Sequence, residues 1–121
     1  DVIDVSTDKG KRDYALFLLF WSNVLRRCEI SRLKVGDFNY QESVLRVFGK
    51  GKGNDDVRVD LNKAVADAIY CWLRCRNSVK PSDPLFIAMD FHNFGRPLSG
   101  DGLYTIVRMT CARAGIRKRM S

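Results

Sequence analysis

Apolar residues crowd the stretch from Tyr14 to Trp21 and continue at Val24 and Leu25. With the helix formers ahead of them, they predict a first core helix from Lys9 to Leu25, N-capped by Asp8. A second, short helix is expected from Arg27 to Leu33. The period then changes: Asp37 to Tyr40, Ser43 to Gly49 and Asp56 to Leu61 are β-prone runs, the last preceded by the turn Gly51-Lys52-Gly53-Asn54. Alternation along these strands points Leu45, Val47, Val57, Val59 and Leu61 toward a core and Arg46, Lys50 and Arg58 to the opposite, basic face. Helical spacing returns from Asn62 to Arg76, with Val65, Ile69, Trp72 and Leu73 on one stripe, and the segment from Asn77 to Pro84 ends it. Phe86 to Ala88 reads as one further short strand. Ser99 would then cap a last helix carrying Leu103, Ile106, Val107, Thr110, Cys111 and Ala114, closed by Gly115. The plan is α+β, mainly helical with a small three-stranded antiparallel sheet, and residues 1–121 read as a single domain.

Composition narrows what such a domain does. The 121 residues carry 21 Lys and Arg against 14 Asp and Glu, a formal charge of +7, and the basic residues recur along the whole chain. That balance favours a polyanionic partner, nucleic acid first, although charge of this size also serves solubility alone. The longest apolar stretch is far short of the roughly 20 residues that span a bilayer, so no membrane partner is expected. The opening Asp1-Val2-Ile3-Asp4 is unlike a signal peptide, which makes an intracellular, cytoplasmic protein the default. The absence of an initiator Met and the basic ending Arg117-Lys118-Arg119-Met120-Ser121 make both ends look like cuts within a longer chain. Cysteines 28, 71, 75 and 111 have neither zinc nor redox-motif spacing, and are expected reduced and mostly buried, with no metal site.

The candidate chemistry lies where helices and strands meet. Asn23-Val24-Leu25-Arg26-Arg27-Cys28-Glu29-Ile30 joins the first helix to the second. Its doubled arginine and nearby carboxylate allow two readings. In one the arginines are solvated and Glu29 supports the helix start. In the other a guanidinium is held by its surroundings and aimed at a phosphate, a task suited to its planar fork and permanent charge. Val47-Phe48-Gly49-Lys50-Gly51-Lys52-Gly53-Asn54 places lysines on a glycine-rich bend but lacks the Walker pattern.

In order and spacing these segments resemble the tyrosine recombinases of the phage integrase family. Asn23 to Ile30 is similar to the family's Thr-Gly-Leu-Arg-x-Ser-Glu-Leu motif at Leu25, Arg26, Glu29 and the final aliphatic position, with Val24 where the family usually has Gly. Leu33-Lys34-Val35-Gly36-Asp37-Phe38 resembles its Leu-x-x-x-Asp-hydrophobic step into the sheet, and the glycine-rich bend resembles its Gly-Lys-Gly hairpin. The resemblance extends over about residues 10 to 118. It implies that Arg26 is the first catalytic arginine, with Glu29 and Asp37 supporting. Counting from Arg26 selects Lys50 as the catalytic lysine, and counting back from the following strand selects Lys52. Arg27, Arg46, Lys52 and Arg58 are the expected DNA-binding residues.

The fold so implied is the front part of a tyrosine recombinase catalytic domain, truncated at the C-terminus. The family's activity is site-specific cutting and rejoining of double-stranded DNA through a 3′ phosphotyrosyl intermediate, without metal or cofactor and with no small-molecule substrate. The parent would assemble as a tetramer on two recombination sites, in association with the nucleoid. Phages, mobile elements and chromosomes all carry such enzymes. His92 matches none of the family's histidines, and Tyr14, Tyr40, Tyr70 and Tyr104 precede the place of its nucleophile. The fragment is therefore expected to lack the His-x-x-Arg box and the nucleophilic tyrosine, and to be inactive alone. The competing expectations are a noncatalytic DNA-binding or regulatory module on the same fold, and a basic protein-interaction domain.

Overall fold

The structure, a computed structural model, describes residues 5–22, 25–48, 56–76 and 78–113. Helix α1 spans Asp8–Ser22, shorter than expected at its C-terminal end. Its cap is Thr7, not Asp8: the Thr7 hydroxyl accepts from the Gly10 N–H at 2.9 Å, and the Thr7 carbonyl from the Lys11 N–H at 2.9 Å. A hydroxyl one residue earlier satisfies the first-turn donors, which leaves the Asp8 carboxylate in the first turn of the helix. Helix α2 is a single turn, Arg27–Ser31, followed by a 3-10 turn at Val35–Asp37.

Strands β1 (Phe38–Asn39), β2 (Val44–Phe48) and β3 (Asp56–Asp60) form an antiparallel sheet in the order β1-β2-β3. Leu45 faces Val59, Arg46 faces Arg58 and Val47 faces Val57. The core side of β2 is as expected, with Leu45 and Val47 buried, and Val44 is buried as well. Val57 departs from expectation: it is 63% exposed. β3 is an edge strand, and core packing reaches its later residues, Val59 and the following Leu61, without extending to Val57.

Helix α3 (Lys63–Arg74) starts at Asn62, whose side chain accepts from the Val65 N–H. It buries Val65, Ala66, Ala68, Ile69 and Trp72, while Leu73 is only partly covered. Helix α4 (Gly100–Arg113) starts at Ser99, whose hydroxyl accepts from the Gly102 N–H at 3.0 Å. Ala114 and Gly115, expected to finish it, lie outside the described residues. Helix α1 packs on α3 and α4, and α2 bridges α4 and β2, so one apolar cluster runs from Leu16 and Leu19 through Ile30, Leu45, Ile69 and Trp72 to Leu103 and Val107. All four cysteines are free; Cys111 is buried, Cys28 and Cys75 are half-buried, and Cys71 is exposed, against the expectation that most are buried. Burial pushes the Cys75 and Cys111 thiols up from their ordinary pKa.

Phe86 to Ala88 is buried but is not a strand; it makes only an isolated bridge, Ile87 with Pro97. Its polar groups are satisfied by other means. The Arg76 guanidinium donates to the Pro84 and Leu85 carbonyls, the Trp72 indole N–H to Leu85 at 2.8 Å, and the Arg12 guanidinium to Ile87 at 3.1 Å. Side-chain donors thus serve Pro84, Leu85 and Ile87, while Phe86 and Ala88 bond to the backbone of residues 95–98 without forming a regular strand pair. Arg12 is 3% exposed and bonds Asp13 at 2.7 Å, so its charge is neutralised beside the carbonyl that it holds.

This buried pair generates a stability prediction. Removing the carboxylate with Asp13→Ala strands a buried guanidinium and is expected to destabilise the fold by about 3–5 kcal/mol, whereas Arg12→Met with Asp13→Ala together should lose distinctly less. Urea unfolding of the two variants checks this, and equal losses would contradict it.

Candidate nucleic-acid interface

The site begins at the turn between α1 and α2. Arg26 has extended backbone, φ −81° and ψ 153°, and stands as the N-cap of α2. The Glu29 carboxylate reaches back to accept from the Arg26 N–H at 2.8 Å, while the Arg26 carbonyl accepts from the N–H groups of Glu29 and Ile30 at 3.0 and 3.1 Å. Both polar backbone groups of Arg26 are therefore pinned, and Ile30, fully buried, anchors the turn to the core. The Arg26 side chain is exposed, and among the described residues its guanidinium has no partner.

Asp37 repeats the device eight residues after Glu29. Its carboxylate accepts from the Lys34 N–H at 3.0 Å, and its own N–H donates to the Lys34 carbonyl at 2.9 Å, which fixes the 3-10 turn leading into β1. A groove of about 680 Å³ borders this segment, with Arg32, Lys34, Phe48, Pro84 and Pro97 among its walls. It connects the α2 exit to Phe48 at the end of β2.

Arg27 leans toward α4 while staying exposed to solvent. Its guanidinium lies 4.6 Å from the centre of the Tyr104 ring and 3.8 Å from the Asp101 carboxylate. Arg46 and Arg58 are exposed and paired across β2 and β3. Such like charges repel. Glu42 at 3.9 Å and Asp60 at 3.5 Å partly offset the Arg58 charge. The site residues thus fall in two groups: Arg26, Arg27 and Glu29 at the α2 turn, and Arg46 with Arg58 on the sheet. Helix α2 and strand β2 are in contact, while Arg46 and Arg58 lie on the face of the sheet opposite the buried Leu45 and Val47. Lys50 and Lys52 lie outside the described residues. Sequence reasoning did not single out Tyr104 and Arg108 of α4; their spacing of four puts them on one helix face, but the nearness of Arg27 to Tyr104 comes only from the structure.

The described residues thus combine an exposed arginine on a fixed turn, a basic antiparallel hairpin and a helical core. The sequence profile of the phage integrase family matches residues 2–121, and the chain belongs to that family. It is 40% identical over its full length to a tyrosine recombinase of Synechocystis sp., of which it covers 38%, and 36% identical over 95% of its length to one of Synechococcus elongatus, of which it covers 36%. Its fold matches the crystal structure of XerA recombinase with a TM-score of 0.77 at 26% identity, covering 92% of this chain and 39% of that one. The chain therefore spans somewhat more than a third of the length of these relatives. No helix among the described residues is long and apolar enough to cross a membrane.

The Arg26 turn is testable by itself. Glu29→Ala frees the Arg26 N–H and is expected to lower stability by about 1 kcal/mol, while Glu29→Gln, which keeps an acceptor, should lose less. Thermal unfolding of both variants measures the difference.

Proposed function

We propose that this chain is the front part of the catalytic domain of a site-specific DNA recombinase, and that Arg26 contacts the scissile phosphate. The observation that carries this reading is the combination, at Arg26, of a pinned backbone and an exposed guanidinium without a partner among the described residues, at the residue that the resemblance makes the family's first arginine. In strand cleavage a tyrosine hydroxyl attacks the phosphorus, its proton leaves, and the bond to the 5′ oxygen breaks to give a 3′ phosphotyrosyl link and a 5′ hydroxyl. Negative charge gathers on the nonbridging oxygens in the transition state. A guanidinium already fixed in place stabilises that charge without reorganising, and so lowers the barrier.

Lys50, or Lys52 as the alternative, protonates the departing 5′ oxygen as general acid from the hairpin. Arg27, Arg46, Lys52 and Arg58 bind backbone phosphates of double-stranded DNA, while Glu29 and Asp37 support the turns. The reaction uses no metal or cofactor, and the full-length protein works as a tetramer on two sites, on the DNA of a phage, mobile element or nucleoid. It also needs a His-x-x-Arg box and a nucleophilic tyrosine. The single histidine, His92, is followed three residues later by Gly95, so these 121 residues do not hold that box and form no covalent adduct alone. Support for the reading comes from family membership, the match to XerA recombinase and the charge of +7.

In the full-length protein, Arg26→Ala is expected to lower cleavage of a nicked suicide substrate on the order of a hundredfold or more, with DNA affinity little changed. Adduct formation on denaturing gels and a mobility shift under the same conditions measure the two quantities. Wild-type cleavage by that variant would remove Arg26 from the chemistry.

A further inference from the structure

Tyr104, half-buried on α4, holds two guanidiniums. Arg27 from α2 lies over its ring at 4.6 Å, and Arg108, one turn further along α4, lies over it at 5.7 Å. The two helices meet closely here: a Cβ added to Gly100 would stand 3.5 Å from the Arg27 Cβ. Among the described residues the carboxylate beside this cluster is Asp101, 3.8 Å from Arg27 and itself fully exposed. The cluster therefore carries a net positive charge. Arg108 is exposed, and the Arg27 side chain is 42% exposed.

Two like charges at one ring repel, and the ring quadrupole and one solvated carboxylate offset this only in part. The arrangement is completed by an anion. A guanidinium resting on a ring has a face covered and its N–H edges directed outward, the geometry that grips a phosphate with two parallel bonds. Side chains already ordered lose less rotamer freedom when the anion arrives.

We infer that Arg27, Tyr104 and Arg108 form a prearranged phosphodiester-binding site that grips the DNA backbone beside Arg26. The inference rests on the proposed function for the identity of the polyanion, and it adds Tyr104 and Arg108 to the residues that hold DNA. Arg27 immediately follows Arg26, so a strand seated on the cluster is held within one residue of the proposed scissile contact. Tyr104 acts through the arginines: it is a positioning residue.

The test uses the full-length protein and a labelled duplex of random sequence, with affinity measured over a potassium chloride series. Arg27→Ala and Arg108→Ala are each expected to weaken binding and to flatten the slope of log affinity against log salt by about one. Tyr104→Leu keeps both charges, so its slope stays while affinity falls about threefold; Tyr104→Phe keeps the ring and should bind as wild type. Asp101→Asn should tighten binding. Arg108→Gln, at an exposed helix position, repeats the measurement if an alanine variant misfolds. Unchanged affinity and slope in the Arg27 and Arg108 variants, with wild type binding in a salt-dependent way, would overturn the site and leave the recombinase reading intact. Wild-type protein with no salt-dependent DNA affinity would instead overturn that reading.

Discussion

The carbonyls from Pro84 to Ala88 must find donors inside the protein, and the way they do so ties the molecule together. Arg76 and Trp72 supply Pro84 and Leu85, the Leu98 N–H supplies Phe86, Arg12 supplies Ile87 and the Gly95 N–H supplies Ala88. The Leu85 N–H completes the set by donating to Leu33, just beyond α2. One irregular segment is thereby bonded to α1, to α3 and to the stretch that leaves the Arg26 turn. Buried peptide groups left unpaired are expensive, so these bonds fix where the layers stand.

The same residue type serves different ends according to its surroundings. Arg12 is buried, neutralised by Asp13 and structural. Arg76 is half-buried over the Trp72 ring, and loss of solvent pushes its pKa down from the ordinary arginine value even as it bonds two carbonyls. Arg26 keeps its side chain exposed, and among the described residues only its backbone is engaged. Burial and partners, rather than residue identity, separate the arginines that hold the fold from those available to an anion.

Much of the fold was legible. The stripe of Val65, Ile69 and Trp72, the Ser99 cap and the shared exposed face of Arg46 and Arg58 follow from period and from turn chemistry. Periodicity describes a strand but not its neighbours, so it could not reveal that β3 leaves Val57 uncovered. Nor could it separate a true strand from Phe86 to Ala88, whose apolar run is the same in either case while its bonds go to an irregular stretch, residues 95–98, and to the distant Arg12. Thr7 and Asp8 are both good caps, and only geometry chose between them. At the site, the Glu29 bond to Arg26 follows from the spacing of a capping box, whereas the gathering of Arg27 and Arg108 on Tyr104 depends on how α2 meets α4.

Because Glu29 and Ile30 hold residue 26 by its peptide groups alone, the shape of that turn is indifferent to the side chain it displays. Architecture and chemistry are decoupled there. A lineage that discarded the guanidinium would keep the same bend, the same core and the same outline. Overall shape is consequently a poor witness to which side chain that turn displays, and only the sequence at position 26 records it.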